Sequence, residues 1–221
     1  MIDFKNLLNL EYIIVLILSL VAFFISISFH EFAHGYIAYK LGDSTAKFSG
    51  RLTLNPVKHF DLYAILFFIV FRFGWAKGVP IDSRNFKNEK HGMVYSALAG
   101  PCTNVILAFI FLSVVRILVN VEFNSDITYN IAYYVVLFSW QMVQVNSMLA
   151  IFNLIPLPPL DGSKIFYAFL PDRLYFKILS YDRYMMIFSL ILVYVGVLDK
   201  IVYTGVNNLI SVLEKIVGVF L

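Results

Sequence analysis

The sequence predicts an all-α polytopic membrane protein with about five to six transmembrane segments. Its 221 residues are 60% hydrophobic and only 14% charged, whereas a soluble domain carries about 25% charged residues. Several apolar runs approach or exceed the length of about 20 residues that a helix needs to cross a bilayer. The formal charge of +3 comes from residues spread over loops rather than from one basic block. The composition therefore predicts the lipid bilayer as the surroundings and argues against a nucleic-acid partner.

The predicted spans follow one another along the chain. The first begins near Tyr12 and continues through His30 to Lys40. Further spans are predicted over 93–115, 131–155 and 184–198. A shorter apolar run over 62–73 is predicted to dip into the membrane and return, because it is too short to cross. The last run, 201–221, is interrupted by polar residues and either spans or lies at the interface.

A small β-hairpin is predicted on the cytoplasmic side, within an element around residues 46–80 that also contains the re-entrant run. Residues 46–54 partly alternate between polar and apolar side chains and are rich in strand formers. An exposed strand edge would offer main-chain pairing to an extended peptide substrate. A hairpin without any substrate role is an equal alternative.

Loop charges predict the side of the membrane on which each loop lies, because cytoplasmic loops carry an excess of Lys and Arg. The loop after residue 115 has Arg116 against Glu122 and Asp126, so it is predicted to lie outside. The loops after residues 40, 73 and 155 are basic and are predicted to lie inside. This multi-pass arrangement places the N-terminus outside and the inner ends of the spans toward the cytoplasm.

An H-E-x-x-H pattern, His30 to His34, stands at the predicted inner end of the first span. Residues i and i+4 lie on one face of a helix, so both imidazoles can bind one zinc ion. Glu31 can then act as a general base on a water molecule at that ion. The alternative is a pair of interfacial histidines beside a solvated glutamate, but ionisable residues in a spanning helix favour a functional role.

A catalytic zinc ion held by two histidines needs a third protein ligand. The chain has a single cysteine, and its other histidines, His59 and His91, lie in basic loops. Asp161 follows a proline-rich stretch that ends the span over 131–155, on the same predicted side as the histidine pair. Alone, Asp161 would be interpreted as the N-cap of residues 162–170. Together with the histidine pair, it is better interpreted as a zinc ligand.

Asn104 and Asn153 are two further polar residues near the predicted inner ends of spans. Asn104 follows Gly100, whose small size permits close helix packing. Asn104 can donate a hydrogen bond to a developing oxyanion or to the substrate backbone, or it can make an interhelical hydrogen bond. The same alternatives hold for Asn153, and the sequence leaves both open.

Five blocks occur in order along the chain: HEFAHGYIAYKLGD, GRLTLNPVKHFD, FGWAKGVPI, ALAGPCTN and NLIPLPPLDG. Together they closely resemble the site-2 proteases, the intramembrane zinc metalloproteases of peptidase family M50, in the compact subgroup without PDZ or CBS domains. The resemblance implies one zinc ion per chain, held by His30, His34 and Asp161, with Glu31 activating the water. It also implies that Asn104 and Asn153 support the catalytic centre or the substrate.

The expected architecture is a single membrane domain over 1–221, with a catalytic core over about 12–170 and extra C-terminal helices over 184–221. The expected function is that of an intramembrane zinc metalloendopeptidase in regulated intramembrane proteolysis, which cleaves peptide bonds in or near transmembrane segments of membrane proteins. The alternative is a non-proteolytic zinc-binding adaptor or a transporter. The outer halves of the spans are almost wholly apolar, which counts against transport, and the presence of Glu31 counts against an inactive adaptor.

Overall fold

The computed structural model describes residues 9–59 and 77–220, and within these ranges every regular element is helical. The predicted re-entrant run over 62–73 lies outside the described residues. The α-helices are α1 (Leu10–Lys40), α2 (Thr45–Phe48), α3 (Glu89–Val119), α4 (Asp126–Asn153), α5 (Asp161–Phe166), α6 (Asp172–Leu179), α7 (Asp182–Tyr194) and α8 (Asp199–Phe220). Short 3₁₀ turns lie at Pro56–Lys58, Ser83–Asn85 and Tyr167–Phe169.

Among the described residues, three helices are long and apolar enough to cross a membrane: α1, α3 and α4. The prediction of five to six spans is therefore not supported over this part of the chain. The apolar run over 184–198 falls largely in α7, whose 13 residues are too few to cross a bilayer. Helix α8 has 22 residues, but polar side chains such as Asn207, Asn208 and Glu214 interrupt its apolar character.

The strand structure predicted over 46–54, within the element around 46–80, is not supported, because residues 45–48 form the single helical turn α2. Residues 60–76 of that element lie outside the described residues. Ala46 is fully buried under α1. Its carbonyl accepts hydrogen bonds from the amides of Arg51 and Leu52, so the chain folds back on the turn rather than pairing with a strand. Gly50 has a φ of +64°, which allows this reversal. The burial of Ala46 and the local turn geometry outweigh the strand propensity of these side chains.

The three long helices form the core of the structure. Helix α3 runs antiparallel to α1 and α4, whereas α1 and α4 run parallel. As a result, the C-terminal parts of α1 and α4 lie beside the N-terminal part of α3. The pairs that define these directions are His30–Asn104 and His34–Ser96 for α1 with α3, and Ser19–Gln141 and Ser26–Asn146 for α1 with α4.

Two apolar clusters fill the spaces between the helices. The first joins α1 to α4 and contains Ala22, Phe23, Ile27, Met142, Val145 and Leu149. The second joins α3 and α4 to α8 and contains Ala108, Leu112, Val143, Val206, Ile210, Leu213 and Val217. Helix α8 is thereby packed on the outer side of the core, away from α1. Close packing and interhelical hydrogen bonds, rather than exclusion of water, hold apolar helices together in lipid.

A buried carboxylate, Asp43, ties the chain after α1 to the chain before α3. Asp43 is fully buried and accepts hydrogen bonds from the amide and hydroxyl of Thr45, from the amide of Asp82 and from the Asn85 side chain. Burial raises the pKa of the Asp43 carboxyl, but these donors outweigh burial and hold the pKa below its ordinary value of 3.8. The ionised form is therefore the one that stabilises this connection.

We expect Asp43→Asn to lower the free energy of unfolding by about 2 kcal/mol at pH 7, because a charged acceptor of several hydrogen bonds is lost. Because the pKa of Asp43 is lower in the folded state, its carboxylate stabilises the folded protein at pH values above the unfolded-state pKa. This stabilisation is lost as the pH falls through the folded-state pKa, below about pH 4. Thermal unfolding in detergent between pH 7 and pH 3 measures both effects. Asp126→Asn, at an exposed acid of α4, is the matched control. Wild-type stability of Asp43→Asn at pH 7 would contradict this account.

Candidate metal centre

Three predicted ligand residues, His30, His34 and Asp161, meet at one point in the structure. One possible ligand atom from each lies within 4.8 Å of the other two. The two Nε2 atoms are 2.9 Å apart, and Asp161 Oδ2 lies 3.2 Å from His30 Nε2 and 3.1 Å from His34 Nε2. All three residues are buried, with exposed fractions of 3%, 7% and 6% in the same order. The convergence that the sequence predicted is therefore present.

The helical period of α1 and a tight reversal of the chain after α4 bring these residues together. His30 and His34 are one turn apart on α1 and share a face. Asp161 is the first residue of α5, and Leu160 is the N-cap residue, without a side-chain capping bond. A Cβ on Gly162 would lie 2.4 Å from the carbonyl oxygens of Leu154 and Ile155, so glycine lets the chain fold back tightly against the end of α4. The Asp161 side chain is directed to the histidines rather than to a helix cap.

The position of the proton on His34 follows from its surroundings. His34 Nδ1 lies 2.7 Å from the main-chain oxygen of Ser96. A carbonyl oxygen can only accept, so Nδ1 carries the proton and Nε2 presents its lone pair to the cluster. The Ser96 hydroxyl donates in return to the His34 carbonyl at 3.0 Å. This reciprocal pair fixes the imidazole against α3 in the tautomer that suits metal binding.

The donor set fits a metal ion. Asp161 Oδ2 is buried and accepts no hydrogen bond from any described residue. Its neighbours are imidazole nitrogens, and the lone pair of His34 faces it across the cluster. Lone pairs that converge in a buried space repel one another unless a cation lies between them. The other carboxylate oxygen, Oδ1, lies 3.4 Å from Lys164 Nζ, so the two oxygens of Asp161 have different surroundings.

Gly100 of α3 lies directly against the two imidazoles. A Cβ at this position would come within 2.5 Å of His30 Cε1 and of His34 Nε2. The sequence predicted close packing at Gly100, and the structure shows that its partners are the histidine rings. Only a residue without a side chain leaves room for both rings between α1 and α3.

Glu31 lies beside the cluster on α1, turned about 100° from His30 around the helix axis. Its carboxylate Oε2 accepts a hydrogen bond from the Val79 amide at 2.8 Å. A backbone amide only donates, so Oε2 is the acceptor in this contact. Val79 belongs to the segment between Lys77 and the 3₁₀ turn at Ser83–Asn85, and sequence spacing gave no sign of this contact.

The two asparagines singled out from the sequence have different surroundings. Asn104 is fully buried, and its Oδ1 lies 2.6 Å from His30 Nδ1. Its Nδ2 donates to Asn146 Oδ1 at 2.8 Å, so both ends of the amide have partners within the helix core. Asn153 is the last residue of α4 and donates to the carbonyl of Leu149 one turn earlier. Asn104 is thus brought to the cluster, whereas the hydrogen bond of Asn153 is local.

Sequence reasoning did not single out Ser96, Asn146 or Lys164. Ser96 contacts the His34 ring through its main-chain oxygen, which no side-chain motif reveals. Asn146 precedes Asn153 by two turns and reaches the cluster only because α3 and α4 pack together. Lys164 is at i+3 from Asp161 on α5, and this spacing was the one available signal.

Comparison with known proteins relates the chain to one family. The model of peptidase family M50 matches residues 18–196. The chain is 40% identical over 170 residues to the "Putative zinc metalloprotease YwhC" of Bacillus subtilis, an alignment that covers 76% of each chain. It is 31% identical over 157 residues to MJ0611 of Methanocaldococcus jannaschii, which has the same description, over 69% of this chain and 71% of that protein. Identity to the similarly described Rip2 of Mycolicibacterium smegmatis is 28% over 161 residues, covering 69% of this chain and 57% of Rip2. No solved structure matches the chain.

We expect Gly100→Ala to weaken zinc binding by about 10- to 100-fold, because the added methyl group displaces one or both imidazoles. Zinc affinity of the purified protein, measured by competition with a chelator, reports this change. Gly218→Ala is the matched control, since a Cβ at Gly218 of α8 meets nothing within 4 Å. Equal affinity in the two variants would show that Gly100 does not hold the imidazoles in place.

Proposed function

Because this chain belongs to peptidase family M50 and is a zinc metalloprotease, we propose that it acts as an endopeptidase within the membrane. Its substrates are the transmembrane segments of other membrane proteins, cleaved within or beside the bilayer in regulated intramembrane proteolysis. The three long apolar helices support a membrane protein. The protein as a whole is proposed to be one membrane domain, since α8 shares an apolar cluster with α3 and α4.

The observation that supports an intramembrane site is the position of the metal-ligand cluster along the long helices. His30 follows the start of α1 by about 30 Å of helix, close to the thickness of a bilayer core. Gly100 lies about 13 Å beyond His91 of α3, the last basic residue before it. The cluster is therefore enclosed by helices of spanning length, at one end of the apolar zone, where an unfolded part of a transmembrane helix can reach it.

Each residue of the cluster has a proposed role in peptide hydrolysis. His30, His34 and Asp161 would hold the zinc ion, which when bound polarises the peptide carbonyl and activates water. Glu31 takes a proton from the attacking water and later delivers it to the leaving amine nitrogen. Its contact with the Val79 amide keeps the carboxylate at the edge of the cluster.

The asparagines and the membrane orientation complete the proposal. Asn104 supports the centre through His30, because both ends of its amide are already hydrogen-bonded within the helix core. Asn153, at the end of α4, is proposed to give up its hydrogen bond to the Leu149 carbonyl and to donate to the substrate backbone instead. Basic residues follow α1, precede α3 and follow α4, all at the cluster's end of the core. This charge distribution supports a multi-pass protein whose active site faces the cytoplasm.

We expect Glu31→Gln to retain zinc and to lower the rate of cleavage by about 10²- to 10⁴-fold, because the amide cannot accept the proton. The measurement uses reconstituted protein and a panel of single-span membrane proteins, with products identified by mass spectrometry. Glu89→Gln, at the exposed start of α3, is the control and keeps wild-type turnover. Normal cleavage by Glu31→Gln would exclude the proposed base. A wild type that binds zinc and cleaves no member of the panel would favour an adaptor or a transporter.

Asp161→Ala is expected to lose most of its zinc, since two imidazoles alone hold the ion weakly. Elemental analysis of the purified variant gives the metal content directly. Asp126→Ala, at the start of α4 and at the opposite end of the core, retains one zinc ion per chain. Full zinc content in Asp161→Ala would remove Asp161 from the ligand set.

A further inference from the structure

A line of buried polar side chains leads from His30 into the core of the three long helices. Asn104 Oδ1 lies 2.6 Å from His30 Nδ1, and Asn104 Nδ2 donates to Asn146 Oδ1 at 2.8 Å. Asn146 Nδ2 in turn donates to Ser26 Oγ and to the main-chain oxygen of Met142, each at 2.8 Å. Asn104, Asn146 and Ser26 each have an exposed fraction of 0%. We call these three residues the buried amide relay.

The direction of the hydrogen bonds in the buried amide relay is set at the end remote from His30. An asparagine amide can turn over and exchange its nitrogen for its oxygen, so each orientation needs a physical cause. The Met142 carbonyl oxygen can only accept. The atom of Asn146 that faces Met142 is therefore the nitrogen, and the oxygen of Asn146 faces Asn104.

The same reasoning continues to the imidazole. Since Asn104 faces an oxygen of Asn146, it presents its nitrogen there and its own oxygen to His30. An amide oxygen accepts, so the proton of the neutral His30 ring lies on Nδ1. His30 Nε2 then presents its lone pair to the cluster, as His34 Nε2 does.

We propose that Asn146 is a positioning residue for His30, and that it sets the tautomer and orientation of this ring through Asn104. His34 obtains its orientation directly from the Ser96 carbonyl, whereas His30 faces an amide that can turn over. The consequence for zinc rests on the proposed function, because it matters only if His30 Nε2 is a ligand. The tautomer itself does not depend on zinc.

Removal of the Asn146 amide leaves the Asn104 side chain free to change its orientation. In Asn146→Leu, Asn104 Nδ2 has lost its acceptor, and the Asn104 amide can turn over to present its nitrogen to His30 Nδ1. His30 then carries its proton on Nε2, where it blocks metal coordination. In Asn146→Asp, the carboxyl group offers an acceptor to Asn104 in either protonation state, so the direction of the relay is retained.

Measurements of zinc affinity distinguish a positioning role of Asn146 from a role in packing alone. We expect Asn146→Leu to bind zinc about 10- to 100-fold more weakly than wild type, whereas Asn146→Asp stays within about threefold. A packing role predicts the reverse order, because a buried carboxyl group is costlier than leucine in an apolar core. Ser147→Ala is the control, since Ser147 is the next residue of α4, is fully buried and has a hydroxyl without a described partner. Wild-type affinity in Asn146→Leu would overturn the proposal.

The ring nitrogens of His30 give a second test that needs no metal and no variant of Asn146. Zinc-free wild type labelled with ¹⁵N-histidine contains four histidines, and the His30 signals are assigned by their loss in His30→Gln. At a pH where the ring is neutral, the ¹⁵N shifts are expected to show a protonated Nδ1 and an unprotonated Nε2. The opposite tautomer, with the proton on Nε2, would overturn the proposal. If this tautomer is found and the wild type binds no zinc, the proposed function fails while the assigned direction of the hydrogen bonds in the buried amide relay stands.

Discussion

The close approach of α1 and α3 at Gly100 is the contact on which the rest of the structure depends. Both imidazoles fit between these helices because Gly100 has no side chain. The same register places the Ser96 carbonyl at His34 and the Asn104 amide at His30. A shift of α3 by one residue would move all these partners to different faces, since neighbouring helical residues are about 100° apart. One contact thus fixes the position and the surroundings of both histidines.

Low polarity around the site explains why its polar atoms are paired so fully. Helical carbonyls in a spanning segment are already used within the helix, and an unpaired polar group is costly in lipid. His34 is paired with the main chain of α3, whereas His30 is paired with an amide that itself needs a partner on α4. Asp161 Oδ2, which accepts no hydrogen bond from the described residues, lies where the two imidazoles converge. Its lack of a donor is the feature that most clearly marks a place for a cation.

Connections outside the long helices complete the site. Asp43 joins the chain after α1 to the chain before α3, and the same stretch presents the Val79 amide to Glu31. Gly162 allows the chain after α4 to fold back and present Asp161. The helix core supplies two members of the cluster, while a short helix supplies the third and a loop holds the neighbouring Glu31 carboxylate. Both the long helices and the hydrogen-bonded connecting segments therefore position the side chains of the cluster.

The sequence by itself determined the membrane class, the long helices α1, α3 and α4, and the candidate residues His30, His34 and Asp161. These depend on composition, apolar length and helical period, which are local properties of the chain. Local properties could not predict three features, which the tertiary structure decided. These are the helical turn in place of strand structure over 46–54, the number of spans among the described residues, and the link from Asn146 to His30. Burial of Ala46 overrode strand propensity, and Asn146 acquired its partner only when α3 and α4 packed side by side. Contacts between residues distant in sequence arise from packing, and no local pattern records them.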